Sequence, residues 1–418
     1  MFNPEELKQD FPILSRQING QSLVYLDNAA TSQKPQVVID AISHYYQTSN
    51  ANVHRGVHAL SDESTKLWET SRATIATFFG ANPGELILTR NTTEAINGVA
   101  YGWADHHLSA SDVILTTPME HHSDLVVWQQ VCQRTGAELR FLEVDETGRL
   151  KIEQLEEIFA HSDIKLISLG LVSNTLGTRN PVEKIVKIAR KLRPEVKILL
   201  DGAQAAPHLP LDFHELDCDF FAFSGHKMLG PMGIGGLLVK QDLLESKAFQ
   251  PWLFGGGMIA TVEREKTEFA EDLADRFTAG TPDVASTVGL AAACRYLQQL
   301  GMKEVAQHDQ ELVQYALEKL TQISEVTLIG PVYALPAQPL DRVGSVAFIY
   351  QGVHAHDVAQ ILDSQGVAVR SGHHCTMPLH TQFNWQATVR ASFQVYNSQA
   401  DIDKLVAALA KVKAVFGM

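Results

Sequence analysis

Short apolar runs alternate with longer amphipathic stretches between about residues 64 and 240, and this alternation restricts the fold more than any other feature. Strands that are apolar throughout are buried on both faces, and helices between consecutive strands connect parallel neighbours. The strand candidates are Glu85–Thr89, Asp112–Thr116, Glu138–Val144, Lys165–Leu171, Val196–Asp201, Cys218–Ser224 and Gly235–Val239. Helix candidates include Leu67–Phe79, Leu125–Gln133 and Val182–Leu192. The pattern predicts an α/β domain with a mostly parallel, seven-stranded sheet.

The last third of the chain predicts a smaller α+β domain. Its strand candidates are Val326–Ile329, Ser345–Tyr350, Val367–Arg370 and Thr388–Phe393. A final helix with Ser398 as its N-cap places Ile402, Leu405, Val406, Leu409, Val412 and Phe416 on one stripe. We therefore predict a large domain over residues 23–294, and a small domain formed by residues 1–22 and 295–418.

Composition excludes several classes of protein. The 418 residues carry 48 acidic and 34 basic side chains, a net charge of −14, which argues against general nucleic-acid or anionic-membrane binding. No apolar run approaches the roughly 18 residues of a membrane span, and the N-terminus does not resemble a signal peptide. The four cysteines are widely spaced without a CxxC, which disfavours a disulfide framework or a zinc site. We expect a cytoplasmic enzyme.

Ligands of such sheets bind beyond the carboxyl ends of the strands, so polar residues there are the first candidates. Lys227 follows the strand that ends at Ser224, and could act as a Schiff-base nucleophile, with Ser224 and His226 binding an anion beside it. The alternative is a surface lysine. Asp201 ends another strand and could pair with a pyridinium nitrogen, or simply serve as a helix N-cap or turn residue.

Three further strand ends carry candidates. Thr92 and Thr93 open a helix and could cradle a phosphate; the alternative is plain capping, with Thr92 as N-cap. His121 could stack on a planar cofactor or move protons. Asn174 could bind an oxygen of a substrate or cofactor. The histidine pairs lack the spacing of metal ligands, so we predict no metal site.

The last third contributes a cysteine and an arginine. Cys375 has polar, basic sequence neighbours that favour a thiolate, whereas Cys132, Cys218 and Cys294 lie in apolar patterns typical of a core. Arg390 lies inside a strand pattern and needs a carboxylate partner. That partner is either a substrate or an internal acid, and the sequence leaves both possibilities open.

Taken together, the motifs resemble those of the class V, fold-type I enzymes that depend on pyridoxal 5'-phosphate (PLP), and most of all the SufS-type, group II cysteine desulfurases. They are Leu26-Asp27-Asn28-Ala29-Ala30-Thr31, Asn91-Thr92-Thr93-Glu94, Glu120-His121-His122, Asp201-Gly202-Ala203-Gln204, Ser224-Gly225-His226-Lys227 and Arg370-Ser371-Gly372-His373-His374-Cys375. The resemblance covers roughly residues 10–415. It departs from the family at Ser123-Asp124, where Ala-Asn is common, and at Ser371, where Thr is frequent.

The resemblance implies a role for each matching residue. Lys227 would bind PLP covalently, Asp201 would pair with its ring nitrogen, and His121 would stack on the ring and exchange protons. Cys375 would carry the persulfide. The remaining roles would be phosphate binding by Thr92, Thr93, Ser224 and His226, contacts near the phenolic oxygen by Gln204 and Asn174, substrate-carboxylate binding by Arg390, and phosphate binding from the neighbouring subunit by Thr281.

The implied activity is conversion of L-cysteine to L-alanine in a homodimer. Sulfur would pass through Cys375 to a SufE- or SufU-like acceptor, for iron–sulfur cluster assembly. Two alternatives stay open: a selenocysteine lyase on the same scaffold, acting on L-selenocysteine, and a non-catalytic scaffold for sulfur assembly. Retention of Lys227 and the other chemical groups argues against the scaffold.

Overall fold

The computed structural model describes residues 2–54, 56–334 and 340–417. Its strands are β1 (Gln17–Ile18), β2 (Gln21–Ser22), β3 (Val24–Tyr25), β4 (Leu86–Thr89), β5 (Val113–Thr116), β6 (Glu138–Phe141), β7 (Ile164–Gly170), β8 (Lys197–Asp201), β9 (Phe220–Ser224), β10 (Gly235–Val239), β11 (Ile259–Val262), β12 (Thr267–Phe269), β13 (Val326–Ile329), β14 (Ser345–Tyr350), β15 (Val367–Ala368), β16 (Arg370–Gly372) and β17 (Thr388–Ser392).

The α-helices alternate with these strands through most of the chain. They are α1 (Pro4–Leu7), α2 (Gln36–Thr48), α3 (Ala59–Phe78), α4 (Thr92–Val99), α5 (Asp105–His107), α6 (His122–Thr135), α7 (Leu155–Ala160), α8 (Val182–Leu192), α9 (Gln241–Glu245), α10 (Leu273–Arg276), α11 (Val284–Leu300), α12 (Met302–Thr321), α13 (Ala355–Ser364), α14 (Met377–Gln382) and α15 (Gln399–Phe416). Among the residues described, no helix has both the length and the apolar character needed to cross a membrane.

The central sheet has seven strands in the order β4-β10-β9-β8-β7-β5-β6. Strands β5 to β9 run parallel to their neighbours, and β10 is antiparallel to both β9 and β4. Strand β7 is buried except for the partly exposed Lys165, as expected for a sheet covered on both faces. The predicted mostly parallel, seven-stranded α/β sheet is confirmed, each strand lying within a few residues of its predicted bounds.

Helix α8 shows how the covering helices are specified. Its buried residues Val182, Ile185, Val186 and Ala189 follow the helical repeat and face the sheet. Helix α3 begins well before the predicted Leu67, because its first two turns are polar and give no apolar signal. The His58 ring caps that early start by accepting a hydrogen bond from the Ser61 backbone amide at 3.2 Å.

A second, antiparallel sheet has the order β13-β14-β17-β16. The predicted single strand Val367–Arg370 is wrong, because the chain divides there between two partners. Strand β15 pairs with β3 in parallel, and β16 joins β17 in the second sheet. This switch places the loop after β16 beside the carboxyl ends of the large sheet.

The C-terminal helix α15 packs against α12 and α13, and its buried residues share a hydrophobic core with the second sheet. Ser398 caps it as predicted, in a reciprocal box with Asp401. Lys8, near the N-terminus, approaches the Asp401 carboxylate to 3.0 Å and so joins the two ends of the chain. Phe416, predicted on the apolar stripe, is 44% exposed and lies in the last turn of the helix. The division into domains at residues 22/23 and 294/295 stays a prediction.

We expect Leu405→Ala to lower the free energy of unfolding by about 2–5 kcal/mol, because Leu405 is fully buried and its loss leaves a cavity. Val415→Ala, on the exposed side of the same helix, should change it by less than about 0.5 kcal/mol. Urea unfolding followed by circular dichroism measures both. Equal effects of the two substitutions would contradict this packing.

Candidate active site

A cavity of about 290 Å³ lies where the parallel strands end. It brings together all the predicted site residues except one. Those lining it are Thr92, Thr93, His121, Asn174, Asp201, Gln204, Ser224, His226, Lys227, Cys375 and Arg390. Thr281 lies elsewhere: it is exposed, lines a separate cavity and has its hydroxyl 3.5 Å from the Asn52 side-chain oxygen.

Lys227 stands on a tight turn that follows β9. The carbonyl oxygen of the preceding residue, His226, accepts hydrogen bonds from the Ser32 backbone amide at 3.0 Å and from Lys34 Nζ at 2.9 Å, which fixes the turn. Desolvation lowers the pKa of the Lys227 amine to about 8, although the negative charge of Asp201 opposes the shift. A larger share of this amine is therefore neutral and nucleophilic at pH 7 than for an exposed lysine.

Asp201 ends β8 and is buried. Its Oδ1 accepts a hydrogen bond from the Ala203 backbone amide at 2.8 Å, so it serves the turn, as one interpretation of the sequence proposed. This contact leaves Oδ2 available to the cavity that Asp201 lines. Burial raises the pKa of the carboxyl group, while the Ala203 amide and the charge of Lys227 oppose the increase. A cation in the cavity would stabilise the ionised form further.

The amino terminus of α4 forms a cradle suited to an anion. Asn91, not Thr92, is its N-cap: the Asn91 side chain accepts from the Glu94 backbone amide at 3.0 Å, so the capping alternative for Thr92 is wrong. Thr92 instead bonds Ser224, through its backbone amide at 2.9 Å and its hydroxyl at 2.7 Å. Burial and nearby lysines lower the pKa of His226 to about 4, which leaves that ring neutral at pH 7. The positive end of the helix and the hydroxyls of Thr92, Thr93 and Ser224 favour a phosphate here.

His121 caps α6 at the end of the loop that follows β5. Its Nδ1 accepts from the Ser123 backbone amide at 3.1 Å, so Nε2 carries the proton of the neutral ring. Burial, aided by the charge of Lys227, lowers the pKa of His121 to about 3. The adjacent His122 uses Nε2 to accept from the Met377 amide at 3.1 Å, which is a structural role. Within the described ranges, no cluster of three or more potential ligands could hold a metal.

Arg390 reaches the cavity from β17 of the second sheet and is buried. Its Nη1 donates to the Asn174 carbonyl oxygen at 2.6 Å, and its Nη2 lies 3.5 Å from Asp27 Oδ1. Nε has no partner among the described residues. Burial lowers the pKa of Arg390 to about 10. Asp27 is thus the internal acid that one interpretation expected. Its contact with Nη2 is long, so Arg390 keeps donors for a second carboxylate.

Cys375 lies on the loop after β16 and is the one exposed cysteine among the described residues. Gly372, His374 and Cys375 all have positive φ, of 123°, 50° and 59°. The loop is held by the His122 amide, which donates to the Cys375 carbonyl oxygen at 2.8 Å, and by the Asn174 side chain, which donates to the His374 carbonyl oxygen at 2.6 Å. Positive φ is strained at the two non-glycine residues, His374 and Cys375, and such strain persists where surrounding contacts over-determine it, as at functional sites.

The other cysteines have no access to the cavity. Cys218 and Cys294 are fully buried, and burial raises the pKa of both thiols. Cys132 is half-buried in α6, and burial raises the pKa of its thiol as well. The prediction of core positions is right for the first two and incomplete for the third.

Sequence reasoning assigned no role to several polar residues of this region, among them Glu120, Asn180 and Arg370, which line the cavity, and Asp27 and Asp124, which do not. Glu120 and Asp124 follow β5 just as His121 does, so their position at a strand end was a usable signal. Asn180 gave none, because it lies beyond a loop; it donates to the Gly170 carbonyl oxygen at 2.7 Å. Arg370 and Asp27 form a loose pair at 3.6 Å near the rim.

Known protein sequences match this chain over nearly its whole length. A profile of the family Aminotransferase class-V matches residues 24–405. A cysteine desulfurase of Haloferax volcanii is 45% identical, with 99% of this chain and 97% of that protein covered. One of Escherichia coli strain K12 is 42% identical over 100% of both.

Solved structures of cysteine desulfurases also match this fold over nearly the whole chain. The apo structure of a cysteine desulfurase from Thermococcus onnurineus has a TM-score of 0.91 at 37% identity, covering 100% of this chain and 99% of that one. The cysteine desulfurase CsdA from Escherichia coli, in its S-sulfonic acid form, has a TM-score of 0.88 at 33% identity, covering 99% of each chain. These findings confirm the predicted class V family and PLP-enzyme fold type I. The chain therefore belongs to the class-V aminotransferase family, among the cysteine desulfurases.

Proposed function

We propose that this enzyme is a PLP-dependent cysteine desulfurase (a sulfurtransferase) that converts L-cysteine to L-alanine and carries the abstracted sulfur as a persulfide on Cys375. One observation carries the proposal: an exposed thiol shares a cavity with a lysine of lowered pKa, a buried aspartate and a buried arginine with free donors. An aminotransferase would use the lysine, aspartate and arginine but has no need of the thiol.

The residues fit PLP group by group. The Lys227 amine suits its aldehyde, the Asp201 carboxylate suits its pyridine nitrogen, and the half-buried His121 ring suits the face of a planar ring. The cradle at the start of α4 suits its phosphate, through Thr92, Thr93, Ser224 and His226, while Gln204 and Asn174 suit its phenolic oxygen. When bound, PLP supplies an electron sink for a carbanion at the Cα of an amino acid.

Proton movement falls to Lys227 and His121. With a pKa of about 8, Lys227 Nζ can accept a proton from the substrate Cα and return it at a neighbouring carbon. The His121 ring is neutral at pH 7, since its pKa is held to about 3. Its Nε2 proton is therefore available to donate toward the cavity, while Ser123 keeps the ring oriented.

Arg390 orients the substrate. A carboxylate can take a bidentate pair of hydrogen bonds from a guanidinium, and Arg390 offers an unpartnered Nε beside the weakly held Nη2. The Asn174 carbonyl holds Nη1 and keeps the fork from rotating. The substrate is thus fixed between the second sheet and Lys227.

Cys375 performs the sulfur transfer. Its thiolate attacks the substrate sulfur, and an S–S bond forms as the C–S bond breaks. The electron pair of that bond stays with the substrate Cβ, which is protonated to become the methyl group of L-alanine. The exposed loop then presents the persulfide to an acceptor, which we propose is a SufE- or SufU-like protein supplying iron–sulfur cluster assembly. A free, exposed thiol also suits the reducing cytoplasm.

Several finer assignments rest on the family resemblance. We propose the SufS-type, group II branch and a homodimer. The dimer is supported by exposed apolar residues, Leu253, Phe254 and Val262, around the segment that precedes Thr281. Thr281 would complete the phosphate site of the neighbouring subunit, which explains why it lies outside the cavity of its own chain. L-Selenocysteine stays an alternative substrate.

Cys375→Ala should reduce sulfide and alanine formation from L-cysteine by about 10³-fold or more, because the acceptor of the sulfur is lost. The yellow colour of the PLP–Lys227 enzyme should remain. Cys132→Ala is the matched control and should keep its activity, as Cys132 lies outside the cavity. Unchanged cysteine activity in Cys375→Ala would refute the persulfide role. Retained cleavage of selenocysteine by that variant would place Cys375 in sulfur abstraction specifically.

Arg390→Gln should lower kcat/KM for L-cysteine by an amount equivalent to about 2–5 kcal/mol, because a buried charge pair with the substrate carboxylate is lost. Most of the change should be in KM, and cysteamine, which has no carboxylate, should be processed equally by both enzymes. The surface variant Arg179→Gln is the control. A wild-type KM in Arg390→Gln would show that the carboxylate is bound elsewhere.

Thr281→Ala should weaken PLP binding about 10–100-fold, which corresponds to the roughly 1.5–3 kcal/mol of one hydrogen bond to a charged group. The variant should still elute as a dimer in gel filtration. Equilibrium dialysis of PLP against Thr281→Ala, with Thr327→Ala in the second sheet as control, measures the effect. Dimeric protein with unchanged PLP affinity would remove Thr281 from the site.

A further inference from the structure

Asp124 is a fully buried acid for which the proposed reaction has no use. It lies in the first turn of α6, and its Oδ1 accepts from Trp128 Nε1 at 2.5 Å and from Ser168 Oγ at 2.6 Å. Its Oδ2 is equally buried and has no hydrogen-bond partner among the described residues. An ionised carboxylate with one oxygen unsatisfied in the interior is strongly disfavoured, whereas a carboxylic acid could donate from that atom.

Glu120 is the neighbour that could accept that proton. It is buried, and each of its oxygens takes one donor: the Thr117 hydroxyl at 2.6 Å and the Gly170 amide at 2.8 Å. The two side chains meet β7 at positions two residues apart, and therefore on the same face of that strand: Asp124 at Ser168 and Glu120 at Gly170. Two carboxyl groups can form a hydrogen bond with each other only when they hold a proton between them, and Asp124 Oδ2 is the one oxygen of the four without a donor.

We propose that Asp124 is a positioning residue that shares a proton with Glu120 and so limits the negative charge acting on Asp201. The inference rests on the proposed function, because Asp201 is the residue assigned to the ring nitrogen. Asp124 does not line the cavity. It acts on Asp201 through Glu120, whose carboxylate accepts from Gly170, the residue of β7 that pairs with Asp201.

The surroundings support a titratable pair. Burial and the charge of Asp201 raise the pKa of Asp124 to about 7, and burial raises the pKa of Glu120 well above its usual range. The charged groups that act on Asp124 are Glu120 and Asp201, while β7 offers it only the Ser168 hydroxyl. As the pH rises through about 7, the pair loses a proton and a further negative charge develops beside Asp201.

The test begins with the apoprotein, which needs no cofactor. Infrared spectra at pH 6 should contain the carbonyl band of a neutral, buried carboxylic acid, and Asp124→Asn should remove intensity from it. An acid whose pKa is raised by folding contributes stability that is present below its unfolded pKa of about 4 and is lost as the pH rises through its folded value. The urea midpoint of Asp124→Asn should therefore rise relative to wild type from pH 5 to pH 8.

Asp112→Asn, at a buried aspartate outside the cavity, is the matched control and should show no such relative rise. Glu120→Gln tests the other half of the pair and should also reduce the carboxylic band, which keeps the test decisive if Asp124→Asn does not fold. In the PLP-loaded enzyme, the visible absorbance of wild type should change with an inflection near pH 7 that Asp124→Asn lacks.

An unchanged carboxylic band together with a pH-independent stability difference would overturn the proposal, since Asp124 would then be a structural residue. Failure to bind PLP would contradict the proposed function alone, because the infrared and unfolding measurements do not depend on the cofactor.

Discussion

The rest of the site depends on the partial desolvation of charged side chains at one edge of the large sheet. Removing an ion from water costs several kcal/mol, so each charged group there must be offset by a neighbour. Lys227 is offset by Asp201, and Arg390 by Asp27 and the Asn174 carbonyl. None of these pairs is a close, complete salt bridge, which leaves the charges available to a ligand. Because their charges are only partly offset, these buried side chains can bind the charged groups of an amino acid and of an anionic cofactor.

This arrangement follows from the parallel sheet. Parallel strands end at the same edge, so residues far apart in sequence, such as Thr92, His121 and Asp201, meet in one cavity. The second sheet forms another side of the cavity, because β17 carries Arg390 and the loop after β16 carries Cys375. The chain leaves its pairing with β3 after β15 and joins β17 at β16, which brings the Cys375 loop to the cavity.

Sequence reasoning predicted the parts of this molecule that depend on short-range patterns. The apolar runs of β7 and β10 and the stripe of α8 are specified by residue type alone, and residues at strand ends could be collected from them. The start of α3 could not be predicted, because its first turns are polar and give no apolar signal. Nor could the break at Val369, because it depends on pairing with β3 and β17, which lie elsewhere in the chain. The same holds for Asp124: its carboxyl group is unusual only because the folded chain buries it and leaves Oδ2 without a donor among the described residues.

The proposed chemistry has two parts, proton transfer and sulfur delivery, and they require opposite exposure to solvent. The residues proposed for each part lie in different regions of the same cavity. Proton transfer needs a base of lowered pKa and a neutral histidine, so Lys227 and His121 are withdrawn from solvent, and desolvation is the main cause of both pKa shifts. Sulfur delivery needs a thiol that another protein can reach, so Cys375 is exposed at the rim on a loop fixed through its backbone. A loop held by main-chain contacts leaves its side chain free to carry a persulfide outward.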